Sequence, residues 1–161
     1  IRIGDLPDSS LSAVRVGTVR GVLIAAPEYL EKHGIPQHPQ DLSGHRLIQS
    51  LAMRGSPEWD FRCNDPDNRT SFSTQIAPRL RMNTNDAVIE LALRGWGVSR
   101  LLSYQVAPYV AGGRLQIILS DFETLPAPIH VVHQEGRMVS AKIRAFVDFM
   151  AERLRVDPAL H

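Results

Sequence analysis

The 161 residues contain a single cysteine, Cys63, so no internal disulfide can staple the fold and a reducing, cytoplasmic setting is expected. No apolar run approaches the ~18 residues needed for a membrane-spanning helix, and no membrane partner is expected. Lysine is nearly absent: only Lys32 and Lys142 occur, and every other basic residue is arginine. An arginine excess serves phosphate or carboxylate recognition, or simply reflects coding composition. Charge of one sign is also lacking, because 18 Lys+Arg against 17 Asp+Glu leave a net +1. That balance gives no general attraction to nucleic acid or acidic lipid. Glycine and proline, 11 each, fall well short of the ~25–30% of a low-complexity chain. What remains is an ordinary globular composition, 43% hydrophobic and 22% charged. At this length folding buries roughly 70% of the surface an unfolded chain exposes, enough for a real core.

Ile1 is not an initiator methionine, and Ile1-Arg2-Ile3 alternates like a strand already under way. The chain is therefore expected to be a piece of a longer protein, with no signal-peptide pattern at its start. Gly4 to Ser10 reads as a loop by its turn residues. Val14, Val16, Val19, Val22, Leu23 and Ile24 carry the β-branched bias of buried strands. Pro27 to Gly34 predicts a short helix with proline and acid early, Lys32 late and glycine at its end. A brief helix is expected near Pro39-Gln40-Asp41-Leu42, then a strand at Arg46 to Gln49. Glu58 to Arg62 and Ser71 to Ile76 predict a hairpin around the turn residues Asn64 to Asn68. Leu80 and Met82 resume alternation. Thr84 to Gly95 predicts a helix with capping residues before it, Arg94 in its last turn and glycine after. Val98 to Leu102, Leu115 to Leu119 and Ile129 to His133 predict strands, and Tyr104 to Ala111 a helix. Finally Ser140 is expected to cap a helix whose apolar stripe is Ile143, Phe146, Val147, Met150 and Leu154. Strands alternating with helices indicate an α/β sheet protein.

Catalytic patterns are missing. No Gly-x-Ser-x-Gly elbow, Walker loop or Gly-x-Gly-x-x-Gly fingerprint occurs, and Gly95-Trp96-Gly97 reads as a helix C-cap and turn. Cys63 follows a strand and precedes a turn, where a half-buried structural thiol is expected. His33 and His38 flank a helix end and a Pro-bounded loop, and no cysteine pair accompanies them. His130 and His133, three apart on a strand, point to opposite faces. No catalytic residue, metal or cofactor is expected. Binding is better supported. Asn83-Thr84-Asn85-Asp86 joins a strand to a helix N-terminus, where free N–H groups and the dipole favour an anion. The same side chains would equally serve as plain helix caps. Arg2-Ile3-Gly4-Asp5 is a second strand running into a glycine loop, and open α/β sheets bind ligands at carboxyl ends of strands.

In order along the chain, these pieces resemble the effector-binding domain of LysR-type transcriptional regulators. Ile1-Arg2-Ile3-Gly4 is similar to that family's strand-then-glycine segment, and Val16 to Pro27 to its long crossover strand. Pro39-Gln40-Asp41-Leu42 resembles its Pro-x-Asp-Leu helix, and Met82-Asn83-Thr84-Asn85-Asp86-Ala87 its Val-Asn-Ser-x-Asp-Ala helix start. Arg94-Gly95-Trp96-Gly97-Val98 resembles its Ala-Gly-x-Gly-Ile turn, and Ala145 to Phe149 its last helix. The sequence departs from the pattern at Met82, at Trp96 and at Arg100-Leu101-Leu102, where the family often has proline. The resemblance implies a periplasmic-binding-protein-like (type 2) fold of two α/β lobes. One lobe is expected complete over 24–126, the other partial from 1–23 and 127–161. A winged helix-turn-helix that contacts DNA would lie outside this chain, and the full protein would be a homodimer or tetramer. A small, often anionic, effector would sit between the lobes, met by Asn83, Thr84 and Asn85 on one side and Ile3 and Gly4 on the other. Arg100 would add a charge for a ligand carboxylate.

Three other readings compete. A periplasmic solute-binding protein shares the two-lobe architecture. An enzyme on the same fold would need a catalytic constellation the sequence does not display. A fragment that associates but binds nothing would expose sheet edges and apolar surface.

Overall fold

The computed structural model describes residues 1–6, 11–52, 58–63, 70–134 and 141–160. In chain order its strands are β1 (Arg2–Ile3), β2 (Leu11–Val19), β3 (Gly21–Ala25), β4 (Leu47–Ser50), β5 (Glu58–Arg62), β6 (Ser71–Gln75), β7 (Leu80–Met82), β8 (Val98–Leu102), β9 (Gln116–Ile118) and β10 (Ala127–Gln134). The helices are α1 (Pro27–His33), α2 (Asn85–Leu93), α3 (Ser103–Ala111) and α4 (Ala141–Arg155), with 3-10 turns at Pro39–Gly44, Ser120–Phe122 and Pro158–Leu160. The chain divides into two compact units, Ile1–Arg20 with Pro126–His161, and Gly21–Leu125.

The 21–125 unit is built on a five-stranded sheet of order β7-β4-β8-β3-β9. β4 runs parallel to β7 and β8, whereas β3 is antiparallel to β8 and β9. Successive residues of its strands bury on opposite faces. Leu23, Leu47 and Val98 join one cluster with Tyr29, Leu30, Leu42, Trp59 and Phe61. Val22, Ile24, Ile48 and Leu101 join the other with Val88, Ile89, Ala92 and Val106. So α1, the Pro39–Gly44 turn and the β5–β6 hairpin cover one face, and α2 and α3 the other. Burial on both faces is why β3 and β8 read as nearly continuous apolar runs. The hairpin pairs Trp59 with Thr74 and Phe61 with Phe72, as their alternation predicts. Its turn, Asn64 to Asn68, lies outside the described residues, as does Ser140.

The other unit is an antiparallel sheet of order β1-β10-β2 with α4 packed on β2 and β10. A bulge between Ile129 and His130 leaves Val16 as the extra residue on β2, and Val16 is buried. The stripe expected on α4 needs correction. Val147 and Ala151 make its buried line, while Ile143 and Phe146 are 47% and 62% exposed. Periodicity shows that an apolar arc exists but not how much of it a narrow sheet can cover.

Gly97 sits against the backbone of Arg46: a Cβ there would lie 2.2 Å from the Arg46 carbonyl oxygen. That oxygen accepts the Val98 N–H at 2.8 Å, the bond that opens the β4–β8 pairing. Gly97→Ala is expected to destabilise the protein by about 3 kcal/mol, the upper range for overpacking because backbone must move. Urea denaturation measures it as a lower midpoint at unchanged slope.

Candidate functional site

β4 and β7 run parallel, so their carboxyl ends emerge side by side where α2 begins. The Leu51 N–H donates to the Met82 carbonyl at 2.8 Å and extends their pairing by one bond. Thr84 caps α2 from an extended conformation, its Oγ1 accepting the Ala87 N–H at 3.3 Å. Ser50, at the end of β4 and 5% exposed, donates its hydroxyl to Asn85 Oδ1. Asn83 and Thr84 are exposed and Asn85 is half-buried. The result is a fixed rim of amide and hydroxyl groups at a helix N-terminus. Of the two readings of this segment, capping is seen at Thr84, and both Asn83 and Thr84 are exposed. Ser50 carried no signal in the sequence beyond lying at a strand end.

Ile3 and Gly4 belong to the other unit. Ile3 pairs with Ile129, and the Gly4 N–H donates to the Pro128 carbonyl at 2.9 Å. Gly4 holds φ at +101°, which turns the chain out of β1, and no atom lies within 4 Å of where its Cβ would be.

Arg100 is placed apart from the helix start. On β8 it stands opposite Leu23, on the sheet face covered by the hairpin, whereas α2 covers the reverse face. Its guanidinium lines a small cavity with Gly21, Asp60, Phe61, Leu119, Phe122 and Glu123. It donates to Thr124 Oγ1 at 3.4 Å and lies 6.0 Å from the Phe61 ring centre. Desolvation by burial lowers its pKa, and Asp60 and Glu123 oppose that shift. This side chain serves the interior of its own unit. Among the described residues no group of three or more His, Cys, Asp or Glu could hold a metal ion. His130 and His133 pair with Arg15 and Ser12 on β2.

Comparison with known proteins gives this arrangement its context. The family model for the LysR substrate binding domain matches residues 1–155. The chain belongs to the LysR substrate-binding domain family. An HTH-type transcriptional regulator of Xanthomonas campestris pv. campestris is 31% identical over 98% of this chain and 46% of its own. The transcriptional activator AaeR of Escherichia coli K12 is 29% identical over 94% and 48%. The chain thus spans about half the length of the curated relatives it matches. Among solved structures, the regulatory domain of AphB from Vibrio vulnificus superposes with a TM-score of 0.80 at 26% identity, covering 94% of this chain and 73% of that one. The CrgA regulatory domain of Neisseria meningitidis gives 0.76 at 29% identity, over 94% and 72%. The fold is the periplasmic-binding-protein-like type 2 fold of these regulatory domains. The family match decides for a regulator domain over a solute-binding protein.

At the other end of β4 and α2, this LysR domain holds a titratable cluster that no spacing rule revealed. The buried Tyr29 hydroxyl accepts the Arg46 N–H at 2.9 Å and lies 3.2 Å from His45 Nδ1. The His33 ring packs on Tyr29 with centroids 4.5 Å apart, and the Arg46 guanidinium lies 5.2 Å from the same ring. Arg46 also donates to the Gly95 carbonyl at 3.2 Å, tying the cluster to the end of α2. Burial lowers the His45 pKa, the charge of His33 lowers it further, and Asp41 partly opposes them.

Two outcomes follow from this cluster. Tyr29→Phe removes the acceptor of a half-buried amide and is expected to cost about 1–3 kcal/mol in denaturant unfolding. A base whose folded pKa is lowered binds its proton more readily in the unfolded chain. His45 should therefore contribute fully above its ordinary value near 6.5 and lose that contribution as pH falls from there toward the folded value. His45→Gln should flatten that part of the stability–pH curve; an unchanged slope would remove His45 as its source.

Proposed function

We propose that this domain senses a small-molecule effector for a LysR-type transcriptional regulator and so controls transcription. The observation that carries the reading is the family match over residues 1–155 on a chain whose strand ends and helix start present fixed polar groups. We assign effector contacts to Asn83, Thr84 and Asn85, with Ser50 holding Asn85 in place, and to Ile3 and Gly4, which would contribute shape. Backbone N–H groups at the start of α2 favour an anionic group on the ligand. Asp86 in the first helical turn opposes a strong negative charge, which favours one carboxylate or a polarised oxygen over a phosphate dianion. Arg100 is left out of the contact set, because its guanidinium is engaged inside the 21–125 unit.

DNA contact belongs, in this reading, to a helix-turn-helix domain outside this chain, with the regulator acting in the cytoplasm as a homodimer or homotetramer. The relatives' description as HTH-type regulators and their roughly doubled length support it. The near-neutral charge of this chain is consistent with a part that does not itself hold DNA.

Calorimetric titration of the full-length protein with a panel of small carboxylates and amides tests the assignment. Asn83→Ala and Thr84→Ala should each weaken the binding compound about tenfold, the loss of one well-made hydrogen bond. Unchanged affinity in both would take the helix start out of the site.

A further inference from the structure

The chain passes between its two units twice, after Arg20 and after Leu125. On the 21–125 side those crossings begin at Gly21 and end just beyond Thr124, and both positions converge on one side chain. A Cβ at Gly21 would lie 3.3 Å from Nε and from Nη2 of Arg100 and 3.7 Å from Cζ, so the Nε–Nη2 edge of the guanidinium faces the start of β3. The same Nη2 reaches Thr124 Oγ1 at 3.4 Å, one residue before the second crossing. Behind the guanidinium stand Asp60 and Phe61 of the hairpin, with Glu123 beside Thr124. Leu119, on the wall of that cavity, holds a left-handed backbone with φ +54°, uncommon for a leucine. Leu119 is thus held in a backbone region that its own side chain does not favour.

We propose that Arg100 is a positioning residue that braces both crossings at once from inside the 21–125 unit. A planar, forked cation suits the task, since the edge that meets the glycine carries the Nη2 that donates to Thr124. Asp60 and Glu123 supply the negative field that offsets burying the charge. Lysine would place a charge there without the planar Nε–Nη2 edge that meets Gly21. The brace uses none of the residues assigned to the effector, so it stands apart from the ligand reading above.

Amide hydrogen exchange with mass spectrometry on the ligand-free full-length protein tests this. In Arg100→Met, peptides over 18–24 and 121–127 should both exchange about tenfold faster, with α2 and β4 peptides within about twofold of wild type. Arg100→Lys should restore protection to at most one of the two. Equal acceleration in every peptide would mean general destabilisation and would overturn the proposal, as would acceleration at one crossing alone in Arg100→Met. Should Arg100→Met fail to fold, Thr124→Val removes one acceptor without uncovering a charge. Faster exchange confined to 121–127 then supports the brace, and unchanged exchange there refutes it.

Discussion

The approach of Gly97 to the Arg46 carbonyl is the constraint on which the larger unit depends. It lets β8 enter beside β4 with Val98 opposite Leu47, and a side chain on residue 97 would hold the strands apart. Register then decides everything on β8, because a slip of one residue exchanges the two faces. In the observed register Val98 and Arg100 face the hairpin while Leu101 reaches α2 and α3. Ser99, fully buried, donates its hydroxyl to the Ile48 carbonyl at 2.8 Å and so adds a polar check on the same alignment. Slipped by one, a guanidinium would sit among Val88, Ile89 and Val106 with no acid to meet it.

Local chemistry made much of this fold legible. Thr84 as a cap, Gly34 and Gly95 as helix ends and the alternation of Trp59 and Phe61 all act within a few residues, and each stands where such rules place it. Whatever depends on partners far along the chain was not legible. A strand apolar on both faces carries no alternation that says which face Arg100 takes, so its role as a ligand group in the sequence reading rested on position alone. Ser50 lies 35 residues from Asn85 and Tyr29 lies 17 from Arg46, and no spacing pattern connects such pairs. The α4 stripe fails for a related reason, since amphipathicity describes one surface of an interface and is silent on the extent of the other.

In the proposed contact set, which leaves Arg100 out, the helix start has no cationic side chain to offer. Asn83, Thr84, Asn85 and Ser50 are neutral, so recognition at the proposed site would rest on directed hydrogen bonds and the helix N-terminus rather than on a full opposing charge. Neutral donors discriminate by geometry: a ligand lacking the matching oxygen leaves desolvated polar groups unpaired, which costs more than the missing bond itself. Long-range attraction would contribute little to such a site, and salt would affect it weakly.

The two titratable clusters of the larger unit tie its elements together at places outside the proposed contact set. Tyr29, His33, His45 and Arg46 close the end where α2 finishes, binding the entry of β4 to the Gly95 turn. Arg100, Asp60 and Glu123 secure the hairpin and the two exits of the chain. With both ends of the strands tied in this way, the segment from Met82 to Asn85 presents a polar rim on a rigid frame. Rigid elements hold donor geometry better than loops do. A short neutral rim can thus be selective without an arginine of its own.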